Sequence, residues 1–130
     1  MAKTYNIGVE ATLEVIGGKW KPIILCHLGK GQQRSSELRR EIPDITQKVL
    51  TQQLRELESD GIIVRHVHGT KAPFCVTYDL TAFGKTLGGI LVQMSVWGER
   101  RIEQLNEAGE PVEILNPDHS GYADILNQVG

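Results

Sequence analysis

From Ile45 to Ser59 the apolar residues Leu50, Leu54 and Leu57 recur at i, i+4 and i+7, the stripe of a helix buried along one side. The opposite side carries Lys48, Gln52, Arg55 and Ser59, with Thr51 beside them. Thr46 is placed to cap this helix, and Gly61, after Asp60, to end it. Upstream, Leu38 and Ile42 give the apolar spacing of a short helix over residues 35–42, with Ser36 as its expected cap. Pro43-Asp44 breaks the chain between the two. Two helices joined by a tight turn, the second with an outward polar face, read as a helix-turn-helix over residues 36–59.

Downstream the period changes. Ile62 to His68 is rich in β-branched residues, Gly69 to Pro73 is a turn, and Phe74 to Tyr78 is a second strand-like run. The pattern predicts a hairpin over residues 62–79 with a basic residue, Lys71, near its tip. A helix-turn-helix followed at once by such a hairpin is a winged helix, whose wing lies along a DNA backbone or enters the minor groove. The fold class expected is mainly α with a small β-hairpin wing (α+β).

The flanks supply further helices. Val9, Leu13 and Ile16 predict one that ends at Gly17-Gly18. Trp20, Ile23, Ile24 and Leu28 predict another that ends at Gly29-Lys30-Gly31, with Pro22 in its first turn and Trp20 in the core. After the wing, Thr81 can cap a long helix running to about residue 106, with a stripe of Leu87, Ile90, Leu91, Met94, Trp97, Ile102 and Leu105. A domain of residues 1–107 has little core left to cover so long a stripe. A second copy of the chain is therefore expected on it, with Val9, Leu13, Leu87, Leu91, Met94 and Trp97 in the interface. Gly84, Gly88 and Gly89 each cost about 1 kcal/mol inside a helix, which fits either close helix approach or a kink. Residues 108–130 form a tail, irregular at first, with a last short helix over 120–128 anchored by Ile125 and Leu126. This pattern assigns the tail no function.

Bulk composition adds less. The chain has 130 residues, 40% apolar, and a net charge of only −2, which by itself suggests no polyanionic partner. The distribution is more informative. Residues 1–85 carry 12 Lys and Arg against 9 Asp and Glu, a net of +3, and residues 86–130 carry 2 against 7, a net of −5. A basic front and an acidic back fit a protein that presents one face to nucleic acid. No apolar run approaches the ~18 residues of a membrane span, and no signal-peptide pattern opens the sequence, so a cytoplasmic protein is expected. Two cysteines far apart suggest no disulfide framework.

Candidate chemistry follows the helix-turn-helix. Gln47, Lys48, Thr51 and Gln52 sit on the first two turns of the second helix, the part that enters a major groove. Gln pairs bidentately with adenine and Lys contacts guanine. Gln47 lies nearest the buried side. Arg55, Arg34 and Arg39 suit phosphates, with Ser36 beside them, and Arg65 and Lys71 are the wing's contacts. Cys26 falls near the apolar face of its helix, as a structural thiol would, and the face taken by Cys75 is undecided. His66 and His68 share a strand face at a spacing compatible with a metal, but no third ligand is suggested. They better serve the wing near phosphates when protonated. No nucleophile–base pairing and no glycine-rich phosphate loop is present, so neither catalysis nor a cofactor is expected.

With these residues in place the chain resembles the HxlR-type winged-helix transcriptional regulators of bacteria, relatives of the MarR group. The matching pieces are residues 9–13, Ile16-Gly17-Gly18-Lys19-Trp20-Lys21, Ser36-Glu37-Leu38-Arg39, the run from Thr46 to Glu58, and Asp60-Gly61. Tyr78, Leu80-Thr81 and Gly84 continue the match after the wing. The resemblance spans about residues 7–98. It implies a homodimer that binds double-stranded DNA, usually as a repressor and sometimes as an activator, with no enzymatic activity. Its effector, its operator and its regulated genes are left open. Two departures are visible. Ser35 stands where family members usually carry an aromatic. The segment Tyr5-Asn6-Ile7-Gly8 lacks the cysteine through which some members sense oxidants. Two other classes stay open on the residues alone: a winged helix that binds proteins rather than DNA, and a small-molecule enzyme or carrier using a dimer cleft.

Overall fold

Side-chain caps set some of the helix boundaries. The computed structural model describes residues 2–115 and 117–129, with only the backbone course of 126–129. Helix α1 spans Gly8–Ile16, α2 Lys21–Gly29, α3 Ser35–Glu41 and α4 Gln47–Ser59. Strands β1 (Ile63–His68) and β2 (Cys75–Leu80) follow, then α5 (Ala82–Lys85), α6 (Gly88–Glu107) and α7 (Ser120–Val129). Thr46 caps α4, its Oγ1 accepting from the Val49 N–H at 3.2 Å. Gly61, at φ 74°, turns the chain out of that helix. Pro22 occupies the first turn of α2. Helix α3 begins at Ser35 as expected, but Ser36 is not its cap. Ser36 is already inside it, and the cap position belongs to Arg34, whose N–H is accepted by Glu37 Oε1 at 3.1 Å.

The wing is an antiparallel hairpin in which Ile63 pairs with Leu80, Arg65 with Tyr78 and His68 with Cys75. Its base is tied to the segment before α3, where Gln33 and Tyr78 exchange both backbone hydrogen bonds, at 3.0 and 2.8 Å. The wing is thus fixed to the helix-turn-helix at its root, while its tip projects.

One core joins these elements. Ile24, Leu25 and Leu28 of α2 meet Leu38, Ile42 and the α4 residues Leu50, Leu54 and Leu57, with Ile62, Ile63 and Leu80 closing it from the hairpin. Burying an aliphatic side chain of this size contributes about 1.5–3 kcal/mol. The α4 stripe therefore holds the helix in one rotation about its axis.

The single long helix expected over 81–106 is divided. Helix α5 ends at Lys85, and α6 starts at Gly88. Close approach and a break both occur here. A Cβ on Gly84 would overlap the Ile62 carbonyl, and one on Gly88 would press on Ile125. The tail, to which the sequence pattern assigns no function, is part of the packed structure. Helix α7 packs against both α2 and α6. A Cβ on Gly121 would overlap the Cys26 carbonyl oxygen, so the backbones of α2 and α7 nearly touch. Tyr122 and Ile125 are buried in the same core, and the Tyr122 hydroxyl donates to the Pro22 carbonyl. The side chain of Leu126, the other expected anchor, lies outside the described residues. Among the described residues no helix is long and apolar enough to cross a membrane.

Candidate nucleic-acid interface

Because Leu50, Leu54 and Leu57 face inward, Lys48, Gln52 and Arg55 must face outward, and all three are exposed. Thr51 is half-buried beside them. Gln47 is exposed, but its amide is already engaged. Its Nε2 donates to Ser35 Oγ and to Thr51 Oγ1, each at 3.1 Å, and so links α3 to α4. Sequence periodicity shows Gln47 near the buried side, but it cannot show this bond to a neighbouring helix. The turn between the helices contains Asp44 at φ 70°, flanked by buried Ile42 and Ile45. The two apolar residues anchor the turn, and the acidic residue takes its left-handed position.

Arg34, Ser36 and Arg39 are exposed along α3, and Arg65 and Lys71 along the wing. The structure therefore leaves the ten expected contact residues accessible, with Thr51 only partly so. One residue that sequence reasoning missed is Lys21. Its Nζ lies 2.8 Å from Glu56 Oε2 and ties α2 to α4. The Lys21 ammonium, by hydrogen bonding, holds the Glu56 carboxyl below the usual carboxylate range. The rings of His66 and His68 stand 6.2 Å apart, and His68 Nε2 is 2.8 Å from Thr77 Oγ1. Among the described residues no group of His, Cys, Asp or Glu is placed to hold a metal ion.

The residues expected between two copies divide into two sets. Val9 and Leu13 on α1 are 55% and 50% exposed, and Met94 and Trp97 on α6 are 46% and 71% exposed. Leu91 corrects the expectation. It is 2% exposed within its own chain, in one core with Tyr122 and Ile125, and offers nothing to a partner. Leu87 likewise packs partly against that core. The outward row on α6 is Ile90, Met94 and Trp97, at i, i+4 and i+7. Ile90, 46% exposed, belongs to this row although it was left out of the expected interface. Its spacing was already legible.

A family model described as HxlR-like helix-turn-helix matches residues 15–106. The chain belongs to the HxlR-like helix-turn-helix family. Its members are transcriptional regulators and not enzymes. The chain is 57% identical over 103 residues to the uncharacterized HTH-type transcriptional regulator YtcD of Bacillus subtilis (strain 168), covering 79% of this chain and 81% of that one. Among solved structures, the redox regulator HypR in its reduced form aligns at a TM-score of 0.73 and 50% identity, over 78% of this chain and 99% of that one. The reduced form of the transcriptional regulator YodB from B. subtilis aligns at a TM-score of 0.65 and 31% identity, over 75% and 94%. The winged-helix fold is shared with these family regulators. The family match ends at residue 106, so α7 lies beyond it.

Proposed function

We propose that the chain binds duplex DNA as a homodimer and represses transcription, with α4 of each copy in the major groove and each wing on the flanking backbone. The observation that carries this is the rotation of α4. Its apolar stripe is fully buried, so Lys48 and Gln52 are presented outward on a rigid, capped helix. Those two side chains read base edges. Arg55, Arg39 and Arg34 meet phosphates near them, and Arg65 and Lys71 meet phosphates at the wing. Thr51 supports the reading face, and Gln47 positions Ser35 and Thr51 rather than reading a base. Repression follows if the site overlaps a promoter, because a bound dimer excludes polymerase. The dimer forms through the apolar rows of α1 and α6, where Val9, Leu13, Ile90, Met94 and Trp97 remain exposed in the single chain.

Footprinting on the DNA upstream of its own gene tests the reading. Two protected half-sites about one helical turn apart, 10–10.5 bp, are expected. Protection of one half-site only would remove the dimer from the account, and protection no better than on competitor DNA would remove the regulator.

A further inference from the structure

Between α2 and the tail lies a cavity of about 560 Å³, within the roughly 300–1,000 Å³ of small-molecule sites. Its apolar walls are Trp20, at the cap of α2, Ile23 from α2 and Tyr122 from α7, with the exposed Leu115 beside them. Glu41, Pro43 and Asp44, the end of α3 and the turn that leads into α4, line its exposed side. The polar lining is uneven in charge. Glu41, Asp44 and Asp118 contribute three carboxylates, against one ammonium, that of Lys19. The Lys19 ammonium lies 4.5 Å from the Trp20 ring centroid. Lys30, outside the lining, pairs with Asp118 at 3.0 Å.

The two imidazoles in the wall do not reverse this balance. His27 Nδ1 is 3.0 Å from Glu41 Oε2, and burial pushes His27 toward its neutral form despite that carboxylate. His119 is turned toward Glu99, with Nδ1 and Oε2 3.1 Å apart. Among the described residues Asp44 has no ion pair, and it stands exposed at the mouth. Aromatic walls suit a flat apolar ring, and a surplus of carboxylates at one end suits a cation.

We propose that this cavity binds a small aromatic ammonium compound, its ring against Trp20 and Tyr122 and its charge toward Asp44 and Glu41, and that occupancy moves the turn carrying α4. The regulatory half rests on the DNA-binding reading above, and the binding half does not. Coupling is direct in the chain. Asp44 is followed by buried Ile45 and by Thr46, the cap of α4, so a shift of the turn changes the entry angle of that helix. The tail closes the opposite wall, which gives α7 a role outside the family's shared residues.

Isothermal titration calorimetry tests the site with three probes of one shape: 1-naphthylmethylammonium, 1-naphthalenemethanol and 1-naphthoate. The ammonium should bind with a Kd of about 100 µM, the order expected of so small a ligand. The alcohol should bind at least about fivefold more weakly, the scale of one partly exposed charge pair, and the carboxylate should not bind. Asp44→Asn should weaken the ammonium by about the same factor while preserving the turn, because Asn tolerates the left-handed backbone. Trp20→Ala should abolish binding, and Asp44→Asn keeps the test decisive if Trp20→Ala does not fold. Equal binding of all three probes, binding of the carboxylate, or no binding of any probe to the wild type overturns the site. Saturating ammonium should then shift the Kd for upstream DNA at least threefold in the wild type. Binding of the ammonium with an unchanged DNA Kd overturns the coupling. Absence of DNA binding without any probe marks failure of the regulator reading instead, since the calorimetry stands independently of it.

Discussion

Trp97→Ala should dissociate the proposed dimer without unfolding the chain. The ring is 71% exposed in the single chain, on the outward row of α6. A Trp side chain presents on the order of 250 Å², so ~180 Å² remains open to water. At ~25 cal/mol per Å² complete covering would contribute ~4–5 kcal/mol, a ceiling because interfaces never convert area fully. If half that area is covered, each ring contributes ~2 kcal/mol, and a two-fold interface contains the ring twice. The loss is then ~4 kcal/mol, close to three decades in the dimer Kd. Sedimentation equilibrium from nanomolar to tens of micromolar measures this directly. Leu91→Ala is the contrast: it empties a site in the core of its own chain and should cost about 2–5 kcal/mol of folding stability. A Trp97→Ala protein with the wild-type dimer Kd would refute the reasoning, as would a wild type that is monomeric at micromolar concentration.

Other perturbations follow from the same structure. Gln52→Ala should relax preference at one base position at a cost of about 1–3 kcal/mol, whereas Lys71→Ala should weaken all sequences alike and flatten the log affinity–log salt slope by about one unit. Competition with specific and scrambled duplexes at several salt concentrations separates them, and the reverse pattern would exchange the roles of helix and wing. Burial pushes the Cys26 thiol up, away from thiolate at neutral pH, so diamide should leave DNA binding little changed. A large oxidant response that disappears in a Cys26→Ser, Cys75→Ser variant would contradict this. His27 titrates lower in the folded chain than its ordinary value because burial disfavours its charge. The unfolded chain then takes up more protons as pH falls below about 6.5. The contribution of neutral His27 is therefore present above that pH and lost below it. Melting temperature should fall between pH 7 and 5, and fall less in His27→Gln.

The helix-turn-helix was legible because its signals are local. The spacing of Leu50, Leu54 and Leu57, the Thr46 cap and the left-handed Gly61 all act within one helix, and the period-2 hairpin that follows is equally local. What the sequence withheld is tertiary. A stripe of apolar residues on α6 states that something covers it, not whether that cover is a second chain or the same chain's tail. Here α7 covers Leu91, while Ile90, Met94 and Trp97 stay open. The break after Lys85 arises where Gly84 must approach the Ile62 carbonyl, a contact made across more than twenty positions. The same limit hid the bond from Gln47 to Ser35 and the cavity lined by the Asp44 turn.

The central claim is sequence-specific recognition by α4. Its most direct test is the ratio of affinities for the upstream duplex and a scrambled duplex of equal length, measured by fluorescence anisotropy at fixed, near-physiological salt. The account predicts a ratio of about 10³ or more, reduced by Gln52→Ala and preserved by Lys71→Ala. Equal affinity for the two duplexes would contradict it.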